Sequence, residues 1–267
     1  MKAVSSPGNP RYKALRRLVD SSQERKRSGL SVLDGAHLVA AYLEHAGMPE
    51  QVVVSRAGVT NPEIQALLAR LGKAEPVVLG DTLFKCLSSV TTPTGILALV
   101  KTPRELPVPQ DVEACVMLED LQDPGNLGSI LRTCAAAGVR HVLLSRGSVH
   151  AWSPRVLRAA MGAHFSLSIH EQADLRAVAR GFSGRLIATR QRASQTIFDT
   201  NLNGRLAFLF GNEGAGLSSG LLQAAHAVVS IPMAGKAESL NVAAAAAICL
   251  FERVRQLAVG SRQSAVE

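Results

Sequence analysis

The fold is decided by the stretch Leu118-Glu-Asp-Leu-Gln-Asp-Pro-Gly-Asn126-Leu-Gly-Ser-Ile-Leu-Arg132 and by two later stretches, Leu209-Phe-Gly-Asn-Glu213-Gly-Ala-Gly-Leu217 and Ile231-Pro-Met-Ala-Gly-Lys-Ala-Glu-Ser239-Leu-Asn241-Val. Each stretch follows an apolar run and leads towards a helix-like run, with glycines and a few polar residues at the turn. Polar turns at the ends of strands are where α/β proteins bind ligands. The second half of the chain is therefore predicted to carry a ligand site built from these three turns.

A polar, proline-rich stretch divides the chain into two regions. It runs Lys101-Thr-Pro-Arg-Glu-Leu-Pro-Val-Pro-Gln-Asp111 and predicts a linker, with a first domain at residues 1–103 and a second at 112–267. In the first region, strand-like runs at 51–55, 76–79 and 95–100 alternate with helix-like runs at 36–45, 61–71 and 81–87. This alternation predicts a small α/β domain.

The second region shows the same alternation more clearly. Strands are predicted at 114–118, 141–144, 186–189, 205–210 and 227–231, and helices at 128–137, 154–161, 174–180, 219–225 and 240–256. Strands separated by helix-length connections predict a mostly parallel sheet with helices on both faces. The last helix begins with a run that is apolar all round, which predicts burial on every side, either in the core or at a subunit interface.

Basic residues are concentrated at the N-terminus. The whole chain has 29 Lys and Arg against 21 Asp and Glu, for a net charge of +8. Residues 1–27 supply +6 of this charge, because Asp20 and Glu24 oppose a larger set of cations: Lys2, Arg11, Lys13, Arg16, Arg17, Arg25, Lys26 and Arg27. A basic helix there could follow a phosphate backbone or could be an ordinary solvated surface, and we expect RNA contact. Aromatic residues make up only 4% of the chain, which argues against base recognition by aromatic stacking.

Several other classes of site are not supported. Gly211, Gly214 and Gly216 do not follow the order of a dinucleotide-binding loop, and the sequence around Gly235-Lys236 lacks the features of a P-loop. The four cysteines are widely spaced, so neither a metal site nor a disulfide framework is predicted. The N-terminal segment is polar and basic, and the apolar run from Val242 to Phe251 is too short to span a membrane. We expect a soluble, cytoplasmic protein without membrane or DNA partners.

The three stretches together resemble the signature motifs of the SpoU/TrmH class of RNA ribose 2′-O-methyltransferases. The resemblance covers most of residues 113–256 and includes Arg158-Ala-Ala-Met-Gly-Ala163, where Ala160 replaces the family's usual serine. It implies an enzyme that binds S-adenosylmethionine in a deep trefoil knot formed by the second and third motif loops. Knots are rare exceptions to the rules of chain connection, and periodicity alone does not predict one.

The resemblance also implies the site residues. Asn126 and Arg132 match the first motif, Glu213 the second, and Ser239 and Asn241 the third. A ribose hydroxyl is a poor nucleophile unless its proton is drawn away. The resemblance gives activation to Arg132, and because a protein arginine stays protonated we favour a positive charge that stabilises the alkoxide over a literal base. Glu213 would position Arg132 or receive hydrogen bonds from RNA, whereas Ser239 could simply cap the final helix.

Further residues follow from the same resemblance. Cofactor contacts, largely through backbone groups, are implied for Thr189, Gly211, Ile231, Met233 and Leu240. RNA contacts are expected for residues of the basic helix and the linking segment: Arg11, Lys13, Arg16, Arg17 and Arg158.

The N-terminal region resembles the family's accessory substrate-binding domain, whose fold is like that of certain ribosomal and kink-turn-binding proteins. It carries Val32-Leu-Asp-Gly35 and Thr92-Pro-Thr-Gly95, with Asp34 where the family usually has Glu and Thr94 where it often has Gln. The resemblance implies a homodimer that acts on RNA, with ribosomal RNA, 23S above all, favoured over tRNA. A non-catalytic RNA-binding or ribosome-assembly protein is the alternative from another class. The choice of nucleotide depends on loop shape and on the RNA fold presented to the N-terminal domain, and both housekeeping modification and antibiotic-resistance methylation fit the resemblance.

Overall fold

The chain forms two compact units in a computed structural model that describes residues 2–72, 75–104, 107–108 and 112–263. One unit comprises Met1–Arg104 with Trp152–Phe165, and the other Glu105–Ala151 with Ser166–Glu267. The segment Trp152–Phe165 groups with the first unit although it lies within the second predicted domain. Much of the predicted linker falls on residues 105–106 and 109–111, which lie outside the described residues, and the domain boundaries stay a prediction.

The first unit is a small α/β fold. Its elements are β1 (Lys2–Val4), α1 (Pro10–Asp20), α2 (Ser22–Ser28), β2 (Leu30–Asp34), α3 (Ala36–His45), β3 (Gln51–Ser55), α4 (Pro62–Arg70), β4 (Val77–Leu79), α5 (Asp81–Lys85) and β5 (Ile96–Lys101). The sheet has the order β1-β4-β3-β5-β2, with β5 antiparallel to both neighbours. Asn9 and Asn61 cap α1 and α4 ahead of a proline, because their side chains accept backbone N–H groups that the first turn leaves unpaired.

One N-terminal cation is structural and does not face solvent. Arg25 is only 5% exposed, and its Nη1 donates to the carbonyl oxygens of Leu18 at 2.7 Å and Val19 at 2.8 Å. These carbonyls belong to the last turn of α1, which has no helical partners for them. Arg25 is therefore not available for the RNA contact expected of the basic N-terminal region.

The second unit is a seven-stranded parallel sheet with helices. Its elements are β6 (Ala114–Leu118), α6 (Pro124–Ala136), β7 (His141–Leu144), β8 (Ser168–His170), α8 (Leu175–Gly181), β9 (Arg185–Thr189), β10 (Gln195–Thr196), β11 (Leu206–Phe210), α9 (Ser219–Ala224), β12 (Ala227–Ser230) and α10 (Val242–Gln263), while α7 (Pro154–Ala160) groups with the first unit. The strand order is β10-β12-β9-β11-β6-β7-β8, and every pairing is parallel. The α/β fold class with a mostly parallel sheet is confirmed.

Alternation along the strands separates the two faces of this sheet. Cys115, Met117, Ala207 and Leu209 share a buried cluster with residues of α8 and α9, while the alternate residues, among them Val116 and Phe208, are equally buried. The helices α6 and α10 pack against each other. No described helix is long and apolar enough to cross a bilayer.

Two predictions about helix ends need correction. The helix α6 begins at Pro124 and not at Gly128, so Asn126 lies in its first turn. The helix α10 begins at Val242, and the side chain that caps it is Asn241, whose Oδ1 accepts the N–H groups of Ala243 and Ala244. The first turns of α10 are only partly buried in the single chain, with Phe251 48% exposed, so burial on every side within one chain is wrong.

Candidate active site

Three loops meet at the carboxyl ends of neighbouring strands. The segments after β9, β11 and β12 line one cavity of about 840 Å³ together with the start of α10. This is the edge at which open parallel sheets bind ligands, and the volume is typical of a site for a cofactor-sized molecule.

The loop after β11 folds back on itself so tightly that it requires glycine. Asn212 and Gly216 exchange backbone hydrogen bonds of 3.1 and 2.9 Å. A Cβ added to Gly211 would lie 2.1 Å from the carbonyl carbon of Gly216. Backbone N–H and C=O groups therefore form this wall of the cavity, as expected for a ligand that is recognised through the main chain.

The side chain of Asn212 holds the same loop to the end of β6. Its Nδ2 donates to the Asp120 carbonyl oxygen at 2.8 Å, and its Oδ1 accepts the N–H groups of Gly214 and Ala215, each at 2.9 Å. Asp120 has a φ of 52°, the left-handed region that L-residues rarely adopt, and its N–H donates to Ser145 Oγ at 2.8 Å. Asn212 and Asp120 thus fix the first and second motif loops relative to one another.

Three of the predicted catalytic side chains form one hydrogen-bonded chain. The amide nitrogen of Asn126 donates to Glu213 Oε1 at 3.1 Å, and its Oδ1 accepts from Asn241 Nδ2 at 2.8 Å. Glu213 also accepts the backbone N–H groups of Gln122 at 3.2 Å and Asp123 at 3.1 Å. Residues from all three motifs are thereby held in one arrangement.

Glu213 is held as a carboxylate. Burial raises its pKa, but hydrogen bonds from the Asn126 amide, from its own backbone and from the N–H groups of Asp123 and Gln122 outweigh burial, so the pKa lies below its ordinary value. Because the ionised carboxylate only accepts hydrogen bonds, it fixes which way the Asn126 amide points.

The predicted cofactor residues converge on the cavity. Thr189, Gly211, Ile231, Met233 and Leu240 all line it, as do Glu213, Ser239 and Asn241. Ser239 is exposed and does not cap α10, since Asn241 does.

Arg132 lies apart from this group. It is exposed on α6, six residues after Asn126 or about 9 Å along the helix axis. Arg132 is not among the described residues that line the cavity, and no hydrogen bond joins it to Glu213. In the single chain Glu213 therefore positions Asn126 and does not position Arg132, contrary to the first of the two roles predicted for Glu213.

The predicted RNA-binding residues are all exposed, on helices that group with the first unit. Arg11, Lys13, Arg16 and Arg17 are exposed on α1, and Arg158 is exposed on α7. Arg16 forms an exposed ion pair with Asp20, with its Nε 3.3 Å from Asp20 Oδ2. Ala160, which replaces the family's serine, is fully buried, so its side chain presents nothing to RNA.

Sequence reasoning missed the roles of Asn212, Asp120 and the basic segment after β9. Asn212 lies inside a motif, but its double role depends on the loop geometry. The segment Arg190-Gln-Arg192 lines the cavity, and its position directly after a predicted strand was the available signal.

The described residues contain no group of acids, histidines and cysteines able to hold a metal ion. Three of the four cysteines are buried, and burial raises the pKa of Cys115 and Cys249 to about 12.

Comparisons with known proteins match this architecture. Residues 113–251 match the family model of the SpoU rRNA methylases, and residues 9–98 match that of the MRM3-like substrate-binding domain. An uncharacterized tRNA/rRNA methyltransferase of Synechocystis sp. is 34% identical over 260 residues, covering 95% of this chain and 94% of the relative. The 23S rRNA (guanosine(2553)-2′-O)-methyltransferase RlmP of Bacillus subtilis is 28% identical, covering 94% and 98%.

Solved structures agree over almost the whole chain. A crystal structure of an RNA 2′-O ribose methyltransferase is 33% identical with a TM-score of 0.81, covering 95% of this chain and 98% of the other. The SpoU methyltransferase AviRb of Streptomyces viridochromogenes, in complex with the cofactor AdoMet, is 27% identical with a TM-score of 0.80, covering 94% and 100%.

Proposed function

This chain belongs to the SpoU rRNA methylase family, and we propose that it transfers a methyl group from S-adenosylmethionine to a ribose 2′-hydroxyl of 23S ribosomal RNA. The observation that carries this function is the Glu213–Asn126–Asn241 chain, which joins all three motifs beside a cavity lined by the five predicted cofactor residues. Relatives along nearly the full chain act on 23S rRNA, which favours that substrate over tRNA.

The cavity fits the cofactor in size and in chemistry. Its volume suits a nucleoside with an amino-acid side arm, and the glycine turn at Gly211 presents backbone groups for the adenine and methionine ends. When bound, S-adenosylmethionine supplies the electrophilic sulfonium methyl. The protein's part is to orient the ribose and to stabilise the negative charge that develops on the 2′-oxygen.

Asn126 orients the target ribose. Its amide nitrogen has two N–H groups, of which Glu213 accepts one and leaves the second for an RNA oxygen. Because Glu213 and Asn241 hold both ends of this amide, the second N–H points in a fixed direction. Ser239, exposed at the cavity wall, offers a further hydroxyl to the ribose.

Arg132 supplies a fixed positive charge to the attacking oxygen. An arginine stays protonated at every working pH, so it stabilises the developing alkoxide and binds the adjacent phosphate, while the RNA phosphate accepts the proton. Since Arg132 lies away from the cavity in one chain, this role requires a second subunit to bring an Arg132 to the cavity.

The active form is a homodimer. Leu240, Phe251 and Val259 are 38%, 48% and 45% exposed at or near α10, a helix that a soluble monomer would be expected to bury more fully. We further propose that the second and third motif loops form a deep trefoil knot, supported by the way both loops enclose one cavity. A cytoplasmic location also belongs to this proposal and rests on the sequence.

Methyl transfer to separate RNA classes tests the function. Labelled S-adenosylmethionine is incubated with unmodified 23S rRNA, 16S rRNA and bulk tRNA, using wild type and Arg132→Ala. The proposal expects label in 23S rRNA only, lost in the variant while cofactor affinity persists. Label in tRNA alone would overturn the assignment of 23S rRNA as the substrate. Cofactor binding without methylation of any RNA would favour a non-catalytic RNA-binding protein.

A further inference from the structure

Two arginines line the cavity, and neither side chain has a hydrogen-bond or ion-pair partner in the described part of the chain. Arg190 and Arg192 follow β9, and both side chains are exposed. The segment is anchored by its backbone, since the Arg190 N–H donates to the Val229 carbonyl oxygen at 2.9 Å. The backbone is thus fixed while two guanidinium groups remain available to a ligand.

The acids of the cavity do not neutralise this pair. Glu213 is engaged by Asn126 and by backbone N–H groups, and Glu238 is exposed with no ion pair to any described cation. Among the described residues that line the cavity, Arg190 and Arg192 are the only cations. The cavity therefore presents positive charge on the segment after β9. This segment lies next to β12, whose following loop carries Ser239.

A ribose that offers its 2′-oxygen at this cavity brings its own phosphate to the same place. The 2′-oxygen and the 3′-phosphate are attached to neighbouring carbons of one sugar ring, and RNA continues beyond the target nucleotide on both sides. We propose that Arg190 and Arg192 bind the phosphates that flank the target nucleotide and so position its 2′-oxygen. The inference rests on the proposed function, and it makes both arginines positioning residues.

The geometry favours RNA phosphate over the other anion available at this site, the carboxylate of the cofactor's methionine end. The cofactor is expected to be held by backbone groups of the motif loops, which need no cation. Both arginines are exposed, as suits contact with a polyanion that lies across the cavity opening. A guanidinium also matches the geometry of phosphate oxygens with two parallel hydrogen bonds.

The test compares Arg190→Gln/Arg192→Gln with Arg190→Lys/Arg192→Lys in the full-length protein. Arg180→Gln is the control, because Arg180 is an exposed arginine of α8 that does not line the cavity. RNA affinity is measured against salt concentration, and cofactor affinity is measured separately. The Gln pair is expected to raise the Kd for RNA roughly tenfold and to reduce the salt slope by about 1.4, from a change of about 0.7 for each phosphate contact on a single strand.

Two further expected results and two contrary results decide the inference. Cofactor affinity is expected to be unchanged, and the Lys pair is expected to keep the salt slope because it keeps both charges. If the Gln pair bound the cofactor more weakly and kept the wild-type salt slope, the two arginines would bind the methionine carboxylate, and the inference would be overturned. An RNA affinity and slope equal to those of Arg180→Gln would also overturn it. Since RNA binding is measured without turnover, a failure of the proposed function would appear separately, as wild type that binds RNA but does not methylate it.

Discussion

Replacement of Asn126 by aspartate tests whether the three-motif chain organises the site. The change preserves shape but places a carboxylate oxygen where the amide nitrogen lies 3.1 Å from Glu213 Oε1. A hydrogen bond to a charged acceptor, worth about 1.5–3 kcal/mol, is then lost. Two carboxylates about 4 Å apart also repel each other by roughly 1 kcal/mol at the dielectric of water, which is a lower bound because Glu213 is exposed but Asn126 is half-buried.

One effect opposes this loss. An acid in the first turn of α6 interacts favourably with the helix dipole, by about 0.3–1 kcal/mol. The net destabilisation is therefore expected to be about 2 kcal/mol, which lowers the Tm by roughly 4–8 °C in a unit of this size. Methyl transfer is expected to be lost, because the second amide N–H is no longer available to the ribose.

The pH dependence identifies the cause. In the variant one carboxylate of the pair has a raised pKa in the folded state, so stability is lost as pH rises through that value and is regained on acidification. Thermal unfolding of wild type and variant is compared between pH 4 and 8. Asn201→Asp is the control, because Asn201 is exposed and its Oδ1 only accepts the Asn203 N–H, which aspartate also does. If Asn126→Asp had the same Tm and pH profile as Asn201→Asp, the hydrogen bond between Asn126 and Glu213 would not stabilise the site.

Three other predictions follow from the structure. Gly211→Ala is expected to abolish cofactor binding, measured by calorimetry, because its Cβ would overlap the backbone of Gly216. Gly214→Ala, whose Cβ would lie 3.6 Å from its nearest neighbour, is the control and is expected to bind the cofactor normally. Equal cofactor affinities of the two variants would contradict the requirement for glycine at position 211. Arg25→Gln is expected to lower the free energy of unfolding in urea by about 1.5–3 kcal/mol without changing the salt slope of RNA binding. Arg17→Gln is expected to reduce the salt slope of RNA binding without changing the free energy of unfolding. The pKa of Glu213 is lowered in the folded state, so the stability that Glu213 contributes is present above its ordinary pKa of 4.5 and is lost as pH falls through the folded pKa. Glu213→Gln is expected to flatten that part of the profile of stability against pH. A profile identical to that of wild type would be inconsistent with the hydrogen bonds to Glu213.

Sequence patterns predicted the apolar strands between polar turns well. The strands β6 and β7 have the predicted bounds, because each is a short apolar run between polar turns. The strands β8 and β10 were missed, since they have three and two residues and their pairing depends on neighbours far along the chain. The start of α6 was placed four residues late because Asp123-Pro-Gly resembles a turn, although Asp before Pro is equally the start of a helix.

The site was predicted by motif resemblance more than by pattern. No periodicity brings Asn126 to Glu213, 87 residues away, or to Asn241, 115 residues away. The burial of Arg25 was also beyond sequence reasoning, because it depends on the carbonyl oxygens at the end of α1 that accept its hydrogen bonds. The partly exposed start of α10 shows why an all-apolar helix does not by itself separate a core position from a subunit interface.

Methylation at the ribose 2′-oxygen is tested by locating the transferred methyl group on the RNA. Labelled methyl is transferred from S-adenosylmethionine to unmodified 23S rRNA, and the RNA is then hydrolysed with alkali, which cleaves only next to a free 2′-hydroxyl. We expect the label in a dinucleotide that resists alkali and yields a 2′-O-methyl nucleoside on enzymatic digestion. Label recovered in a mononucleotide as a methylated base would contradict it.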